Sequence, residues 1–272
     1  MTPIHFTKMH GLGNDFIIIN NIDQRINLKS LPIHLIANRH IGIGCDQVLV
    51  IEPSKKANFF CRIFNADGSE ATQCGNGLRC VARYLYDEKW QPHSSFQIET
   101  LAGIFPVFVE GNHVCIQMGI PNIKDNNLFL TINETQFGPF CHLTLGNPHL
   151  IFKVNSLKES EKLFNELAPK LSIHPQFRDQ INVGFMEIMD RNHLRLRTFE
   201  RGSGETFSCG SNASAAVAFG IMNDLLDKNV SVLSQFGALQ ISWLKQDESI
   251  QLCGPAVKVF DGISVAAASL TV

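Results

Sequence analysis

Short apolar runs follow one another along the whole chain, and most of them have the length of a β-strand. In the first half they read FIIINN, QVLVIE, FFCRIFN, FQIET, IFPVFVE and HVCIQMG. In the second half they read CHLTLGN, HLIFKV, NVGFMEIM, HLRLRTF, VSVLSQF, LQISWL and SIQLCG. Because strand-like runs outnumber helical patterns, the sequence predicts an α+β protein rich in strands.

Helical patterns occur at four places. One helix is predicted from about Leu31 to His40, and another to begin at Ser156, which forms a capping box with Glu159. The other two follow QCGNG and SCGSN. The first of these has an apolar stripe at helical spacing, made by Leu78, Val81, Ala82 and Leu85. The second, NASAAVAFGIM, is apolar nearly all round, which predicts a buried helix.

The two halves of the chain repeat one another. RIFNADGSEATQCGNG (62–77) aligns without gaps on RTFERGSGETFSCGSN (197–212), a shift of 135 positions. At the same shift Gln47 falls on Asn182, and GND (13–15) has a counterpart in GNP (146–148). A shift of half the chain indicates duplication into two similar domains, each with strands around a central helix and with a cleft between them. Pro121 and the KDNN segment at 124–127 are predicted to form a hinge.

Composition narrows the class of protein. Apolar residues make up 44% and charged residues 18% of the 272 residues, which is ordinary for a globular protein. The net charge of −2 gives no basis for nucleic-acid binding. No apolar run is long enough to cross a membrane, and the first residues lack a secretory signal. We therefore expect a cytoplasmic protein that binds neither nucleic acid nor membranes.

The eight cysteines do not form a metal motif. None of them is spaced C-x-x-C, and no H-x-x-x-H lies nearby, so no metal site is predicted. In a long chain without a secretory signal most of them are expected to be small buried apolar residues. Taken singly, any one of them fits that structural role better than a reactive one.

Cys74 and Cys209 together point to chemistry, because matching Glu-x-x-x-Cys-Gly contexts place each at the start of a predicted helix. The free N–H groups and positive dipole at a helix N-terminus lower the pKa of a thiol and bind a carboxylate. Two such helix ends facing one substrate would put a sulfur on each side of its α-carbon. One thiolate would remove the α-proton, and the other thiol would return a proton to the opposite face.

No cofactor is needed for that reaction, and the sequence contains no dinucleotide, phosphate-loop or zinc-protease fingerprint. Three alternatives stay open from the residues alone. Cys74 and Cys209 could oxidise to a disulfide, they could belong to a redox-switch or ligand-binding protein without turnover, or one of them could serve a thiol hydrolase. The hydrolase needs one cysteine with a dedicated histidine, whereas this chain repeats its cysteine symmetrically.

The sequence resembles the diaminopimelate epimerase family over essentially its whole length. The matching stretches, in chain order, are KMHGLGNDF, ANRHIGIGCDQ, RIFNADGSEATQCGNGLRC, GNPH, INVGFMEI, ERGSGETFSCGS and VFDG. The resemblance implies a cofactor-independent isomerase of lysine and cell-wall precursor synthesis, acting on the small molecule diaminopimelate as a homodimer. It also implies two pseudo-symmetric domains, residues 1–118 with 258–272 returning to them, and residues 119–257.

The resemblance also implies roles for individual residues. Cys74 and Cys209 would be the acid/base pair, and His149 and Glu200 would tune the pKa values of the thiols. Backbone N–H groups at the two helix starts would bind the carboxylate at the reacting carbon, from Gly75, Asn76, Gly210 and Ser211. The distal end of the substrate would be bound by Asn14, Gln47, Asn65, Asn147, Asn182 and Arg201. Glu200 would also bind the amino group near the reacting carbon.

The chemistry of the side chains agrees with the binding roles, whereas the assignment of individual residues to them depends on the resemblance. An arginine grips a carboxylate with two hydrogen bonds, and asparagine both donates and accepts, which suits a zwitterion. Without the family, Asn14 in GND and Asn147 in GNP would be interpreted as turn residues. His149 would be interpreted as a packed histidine, and Glu200 with Arg201 as an exposed ion pair of little value.

The chain departs from the family pattern at several positions. Asn212 stands where the family has a glycine in the first turn of the second cysteine helix, and Ser214 stands where it has a cysteine. Cys45 replaces a common phenylalanine, and Phe260 replaces a frequent tyrosine near the dimer contact. The closest rival function is a proline or hydroxyproline racemase, whose cyclic substrate would not need the distal asparagines and arginine. An isomerase of the phenazine-biosynthesis type is a weaker rival because such proteins lack the cysteine pair.

Overall fold

A computed structural model describes residues 3–264 of the chain. Its internal contacts divide the chain into two units: the first runs to Ile116 and resumes at Pro255, and the second is Gln117–Gly254. The domain limits predicted from the sequence, 1–118 with 258–272 and 119–257, stay a prediction, and positions 265–272 lie outside the described residues. No helix within residues 3–264 is long and apolar enough to cross a membrane.

The first unit alternates strands with two helices. Its strands are β1 (Ile4–Gly11), β2 (Asn14–Asn20), β3 (Gln47–Glu52), β4 (Phe59–Asn65), β5 (Glu70–Ala71), β6 (Ser95–Thr100), β7 (Gly103–Glu110) and β8 (His113–Gln117). Its helices are α1 (Ile33–Ala37) and α2 (Gly75–Asp87), with a 3-10 turn at Leu28–Ser30.

The second unit repeats that arrangement. Its strands are β9 (Asn122–Ile132), β10 (Thr135–Leu145), β11 (Asn147–Val154), β12 (Asn182–Asp190), β13 (His193–Glu200), β14 (Gly204–Thr206), β15 (Asn229–Ser234), β16 (Gly237–Ser242) and β17 (Gln251–Pro255). Its helices are α3 (Glu161–Ser172) and α4 (Gly210–Met222). The chain then returns through β18 (Val257–Ser264), which pairs antiparallel with β1 in the first unit.

Strand order is the same in both units. In the first it is β18-β1-β2-β3-β4-β6-β7-β8, with parallel pairs at β2/β3 and β4/β6. In the second it is β9-β10-β11-β12-β13-β15-β16-β17, with parallel pairs at β11/β12 and β13/β15. The short strands β5 and β14 pair with β4 and β13. The predicted α+β fold of two pseudo-symmetric domains is therefore confirmed.

Each unit packs its sheet against one central helix. Helix α2 contacts strands β1, β2, β3, β7 and β18, and helix α4 contacts β10, β11, β12, β13 and β16. The predicted stripe of α2 is fully buried, and ten residues of α4 are buried. Strands next to these helices, such as the segment 48–51, are apolar on consecutive positions because both of their faces are covered.

Three local predictions from the sequence were wrong. The helix predicted over Leu31–His40 is only the five residues of α1, since Asn38 takes an extended backbone and its side chain accepts hydrogen bonds from the His40 and Ile41 N–H groups. Helix α3 begins at Glu161 and not at Ser156. Ser156 Oγ does accept from Glu159 N at 3.3 Å, but this hydrogen bond belongs to a turn that precedes the helix. The predicted hinge at 124–127 lies inside β9.

Candidate active site

Cys74 and Cys209 are the residues that cap the two central helices, as the sequence predicted. Both have extended backbone angles, and helices α2 and α4 begin at the glycine that follows, Gly75 and Gly210. The Gly77 N–H donates to Cys74 Sγ at 3.3 Å, which satisfies one of the free amides of the first turn. Each sulfur therefore lies at the positive end of a helix.

Asn14 lies beside Cys74 in the first unit. A turn with Leu12 at φ 55° and Gly13 at φ 85° leads into β2, of which Asn14 is the first residue. Asn14 Oδ1 accepts from Asn76 Nδ2 at 3.3 Å and lies 4.0 Å from Cys74 Sγ. The turn residue of the sequence analysis is thus also a neighbour of the cysteine.

A charged network holds Asn14, and sequence reasoning did not assign it. Asn14 Nδ2 donates to Asp46 at 2.7 Å, and Arg39 bonds both Asp46 and Asp15. Burial raises the pKa of Asp15, but the hydrogen bonds from Arg39 and Lys8 outweigh it and lower the pKa to about 2. The sequence did contain an indication of this network, since its four charged residues lie in the family-like stretches KMHGLGNDF and ANRHIGIGCDQ.

Gln47 and Asn65 face one another across β3 and β4. They are direct register partners, and Gln47 Nε2 donates to Asn65 Oδ1 at 2.9 Å. Asn65 Nδ2 in turn donates to Ser69 Oγ at 3.0 Å. Gln47 Oε1 is buried and accepts no hydrogen bond from any residue of 3–264. A buried carbonyl oxygen without a partner suits a donor such as an ammonium group.

Glu200 is the immediate partner of Cys209 in the second unit. Cys209 Sγ donates to Glu200 Oε2 at 3.0 Å, and Thr206 Oγ1 donates to the other carboxylate oxygen at 2.6 Å. Ser211 Oγ lies 3.5 Å from the same sulfur. Glu200 therefore does not form the exposed pair with Arg201 that the residues alone suggested.

The thiol of Cys209 is held in its protonated form. Burial raises its pKa well above the ordinary value, and the negative charge of Glu200 raises it further. Hydrogen bonds from Ser211 and from the Asn212 backbone act in the opposite direction and are smaller. The expectation that a helix N-terminus lowers the pKa of this thiol was therefore wrong for Cys209, because burial and the neighbouring carboxylate dominate.

Arg201 connects two asparagines that are distant in sequence. Its backbone N–H donates to Asn182 Oδ1 at 3.0 Å, and its Nη2 donates to Asn147 Oδ1 at 2.9 Å. Its Nη1 donates to the carbonyl of Asp179 at 2.9 Å. Asn147 follows Gly146, which has φ 73°, and opens β11. The structure thus brings three of the predicted substrate-binding residues into one cluster.

His149 is fully buried on β11, in parallel register with Asn182 on β12. Its Nδ1 lies 3.2 Å from Asn212 Oδ1. Burial lowers the pKa of His149 to about 3, with a further lowering from the positive charge of Arg201, so the imidazole is neutral. Asn212 itself is buried, and helix α4 runs unbroken through it and through Ser214, whose Oγ donates to the Gly210 carbonyl at 2.9 Å.

Cys74 and Cys209 are not joined by a disulfide bond, so that alternative does not hold in this structure. Four other cysteines are free and buried, namely Cys45, Cys61, Cys80 and Cys141. Burial raises the pKa of Cys45, Cys80 and Cys141 to about 12, which leaves them unreactive. No group of three or more metal-binding side chains is assembled within residues 3–264.

The amino-acid sequence matches a known protein family over most of its length. The sequence model of the family described as diaminopimelate epimerase matches residues 6–124 and 141–259. A diaminopimelate epimerase of Nitrosomonas europaea is 42% identical over 272 residues, covering 95% of this chain and 98% of the relative. One from Azotobacter vinelandii is 38% identical over 272 residues, with the same coverage of both.

Solved structures of lower identity share the fold. A phenazine biosynthesis protein from Bacillus anthracis superposes with a TM-score of 0.75 at 20% identity, covering 98% of this chain and 100% of that one. A hydroxyproline epimerase from Agrobacterium vitis, with bound trans-4-hydroxy-L-proline, has a TM-score of 0.71 at 15% identity. It covers 97% of this chain and 91% of its own. At such identities the likeness concerns the fold alone.

Proposed function

Because the chain belongs to the diaminopimelate epimerase family, we propose that it interconverts the LL and meso isomers of diaminopimelate without a cofactor. The observation that carries the proposal is the pair of cysteines, each capping the central helix of one of two units with the same topology. Inversion of a carbon centre needs one proton acceptor and one proton donor on opposite faces. Two thiols supply both.

Cys74 and Cys209 divide the two proton transfers between them. Cys74, as a thiolate, takes the α-proton, and the electron pair of the broken C–H bond moves into the substrate carboxylate. Cys209, as a thiol, then gives its proton to the opposite face, and its sulfur becomes the thiolate. One proton enters and one leaves, so the substrate changes only its configuration. The hydrogen bond between Cys209 and Glu200 supports the assignment of Cys209 as the initial donor.

Backbone N–H groups stabilise the charge that develops during the reaction. Gly75 and Asn76 open α2, and Gly210 and Ser211 open α4, so their N–H groups lie in the first turns, at the positive ends of the two helix dipoles. Negative charge that moves onto a carboxylate held there is stabilised by the same groups and by the helix dipole. No reorganisation is needed when that charge appears.

The far end of the substrate is assigned to the polar side chains of both units. Arg201, held by Asn147, binds the distal carboxylate, with Asn182 beside it. The amides of Asn14, Gln47 and Asn65 bind the remaining groups of the zwitterion, and Gln47 Oε1 supplies a free buried acceptor for the distal ammonium. In this proposal Glu200 and His149 tune the pKa values of the two thiols, and Glu200 also binds the proximal ammonium.

The predicted homodimer and cytoplasmic location are part of the proposal. Strand β18 exposes a row of apolar side chains, of which Val259 and Phe260 are 54% and 48% accessible. Burying such a row against a second copy would remove apolar surface from water. Sedimentation of the protein and of Phe260→Ser tests this: a weaker dimer in the variant supports the interface, and a monomeric wild type contradicts it.

Exchange of the α-proton tests the reaction. The reduced protein is incubated in D2O with LL-diaminopimelate and, separately, with L-proline. Deuterium at the α-carbon together with meso product from diaminopimelate alone is the expected result. Exchange with proline alone would assign the protein to the proline racemases instead. No exchange with either substrate, in folded and reduced protein, would contradict both and favour a redox switch.

A further inference from the structure

The first turn of each central helix packs against a neighbouring strand, and the two units place the larger residue on opposite sides of this contact. In the first unit Gly77 packs on Leu49, and a Cβ on Gly77 would lie 3.1 Å from the leucine side chain. At the equivalent positions the second unit has Asn212 and Gly184, and a Cβ on Gly184 would lie 2.9 Å from Asn212 Nδ2. The glycine on β12 therefore makes room for the asparagine on the helix.

The hydrogen bonds of Asn212 fix which way its amide faces. Nδ2 donates to the carbonyl oxygen of Val183 at 3.2 Å and to Thr198 Oγ1 at 3.0 Å. A carbonyl oxygen can only accept, so the NH2 group must be on that side. Asn212 Oδ1 then faces His149 Nδ1 at 3.2 Å. Because an amide oxygen cannot donate, the hydrogen of this bond belongs to Nδ1.

A neutral imidazole carries a single hydrogen, so Nε2 of His149 is left with its lone pair. The ring is fully buried, and no carboxylate is within the salt-bridge distance of it among the described residues. Its pKa is lowered to about 3 by burial and by Arg201, which faces it as a cation. Nε2 is buried and accepts no hydrogen bond from residues 3–264.

Other acceptors of the second unit each accept a hydrogen bond within the protein. Asn147 Oδ1 and Asn182 Oδ1 both accept from Arg201, and the two oxygens of Glu200 accept from Cys209 and Thr206. Nε2 of His149, in contrast, is a buried acceptor that accepts no hydrogen bond from residues 3–264. An ammonium group brings three N–H donors that each need an acceptor.

We propose that Asn212 is a positioning residue: its amide holds His149 as the tautomer protonated at Nδ1, so that Nε2 accepts a hydrogen bond from an ammonium group of the bound amino acid. The identity of the donor rests on the proposed function, since it requires an amino-acid substrate. The tautomer does not, because it follows from Val183, Thr198 and Asn212 alone.

Nitrogen-15 NMR of histidine-labelled protein tests the tautomer without turnover. The His149 signals are assigned by their loss in His149→Gln. In the wild type without substrate we expect a protonated Nδ1 and an unprotonated Nε2, and a hydrogen on Nε2 would overturn the proposal. Addition of diaminopimelate should then move the Nε2 signal toward that of a hydrogen-bonded nitrogen, and an unmoved signal at saturation would overturn the ammonium contact.

Substitutions at Asn212 separate positioning from mere packing. Asn212→Ala removes the acceptor at Nδ1, and we expect both tautomers to appear and KM to rise about tenfold, the effect of losing one hydrogen bond to a charged group. The matched control is Ser214→Ala, which removes another buried polar group from the same helix and should change neither tautomer nor KM.

The outcomes distinguish this proposal from the proposed function. A single wild-type tautomer that persists unchanged in Asn212→Ala, with unchanged KM, would overturn the role of Asn212. A protein that shows the expected tautomer but neither binds nor turns over diaminopimelate would overturn the proposed function and the ammonium contact, while the tautomer lock would stand.

Discussion

The two units place a cysteine at the same point of the same fold but surround it with different charges. The sulfur of Cys74 accepts from a backbone N–H and has the neutral amide of Asn14 as its side-chain neighbour. The sulfur of Cys209 is buried and donates to the carboxylate of Glu200. The strand order thus fixes where each sulfur lies, whereas the charges beside the two sulfurs differ.

The difference originates at equivalent positions of two strands. Asn65 and Glu200 end β4 and β13, and each follows an Arg-x-Phe sequence. Asn65 bonds to Gln47, whereas Glu200 turns to Cys209 and Thr206. Both units keep the neighbouring ion pair that joins these strands to β5 and β14, Arg62–Glu70 and Arg197–Glu205. Duplication therefore preserved the frame while the chemistry diverged at single residues.

Removal of either thiol should have the largest effect on activity, because the reaction needs one cysteine from each unit. We expect Cys74→Ala and Cys209→Ala each to lower kcat by about a thousandfold or more, as loss of a general acid or base does. The measurement is the rate of meso-diaminopimelate formation. Cys141→Ala is the control, because this free cysteine is buried within strand β10 and does not cap a helix. Near wild-type rates in either catalytic variant would contradict the two-thiol mechanism.

Removal of the Arg201 side chain should weaken substrate binding. Arg201→Ala is expected to raise KM by about ten- to a hundredfold with a smaller change in kcat, since a charge-assisted hydrogen-bond pair to a carboxylate is lost. Arg195→Ala, in the strand that precedes Arg201, is the matched control, because Arg195 is exposed and its contact to Glu187 is 3.8 Å long. Equal KM values in the two variants would remove Arg201 from the substrate site.

The sequence predicted the helix starts and the buried helix because their signals are local. The letters NASAAVAFGIM describe α4 correctly, and glycines after Cys74 and Cys209 mark the helix starts. The substrate cluster is different, since Arg201 meets Asn147 across 54 positions of the chain. Such pairs depend on strand register, which the residues alone do not reveal. They therefore suggested turns and a surface ion pair, and only the family resemblance assigned these residues to one site.

The pKa of Cys209 could not be read from the sequence for the same reason. Its local context is a helix N-terminus, which favours the thiolate. Its actual environment is a buried one beside a carboxylate that arrives from β13, and that environment favours the thiol. Burial and a long-range neighbour together exceed the local effect, and neither is encoded in the motif itself.

Disruption of the charged network beside Asn14 should have a smaller effect, which we expect in the free energy of unfolding. The folded pKa of Asp15 is about 2, below its ordinary 3.8, so the carboxylate stabilises the fold above pH 3.8 and this contribution is lost as the pH falls toward 2. We expect it to be on the order of 1–2 kcal/mol. Urea unfolding of wild type and Asp15→Asn should therefore converge at low pH. A stability difference that is independent of pH would contradict the ion-pair account.

The protonation state of Cys209 tests the contrast between the two units most directly. It is followed by the pH titration of the Cys209 13Cβ NMR signal, assigned by its loss in Cys209→Ala, which does not depend on access of a reagent to the buried sulfur. We expect the wild-type thiol to titrate above its ordinary value of 9.0, and Glu200→Gln to move the titration to lower pH because the neighbouring negative charge is gone. A wild-type signal that titrates below 9.0, or one that Glu200→Gln leaves in place, would contradict the account.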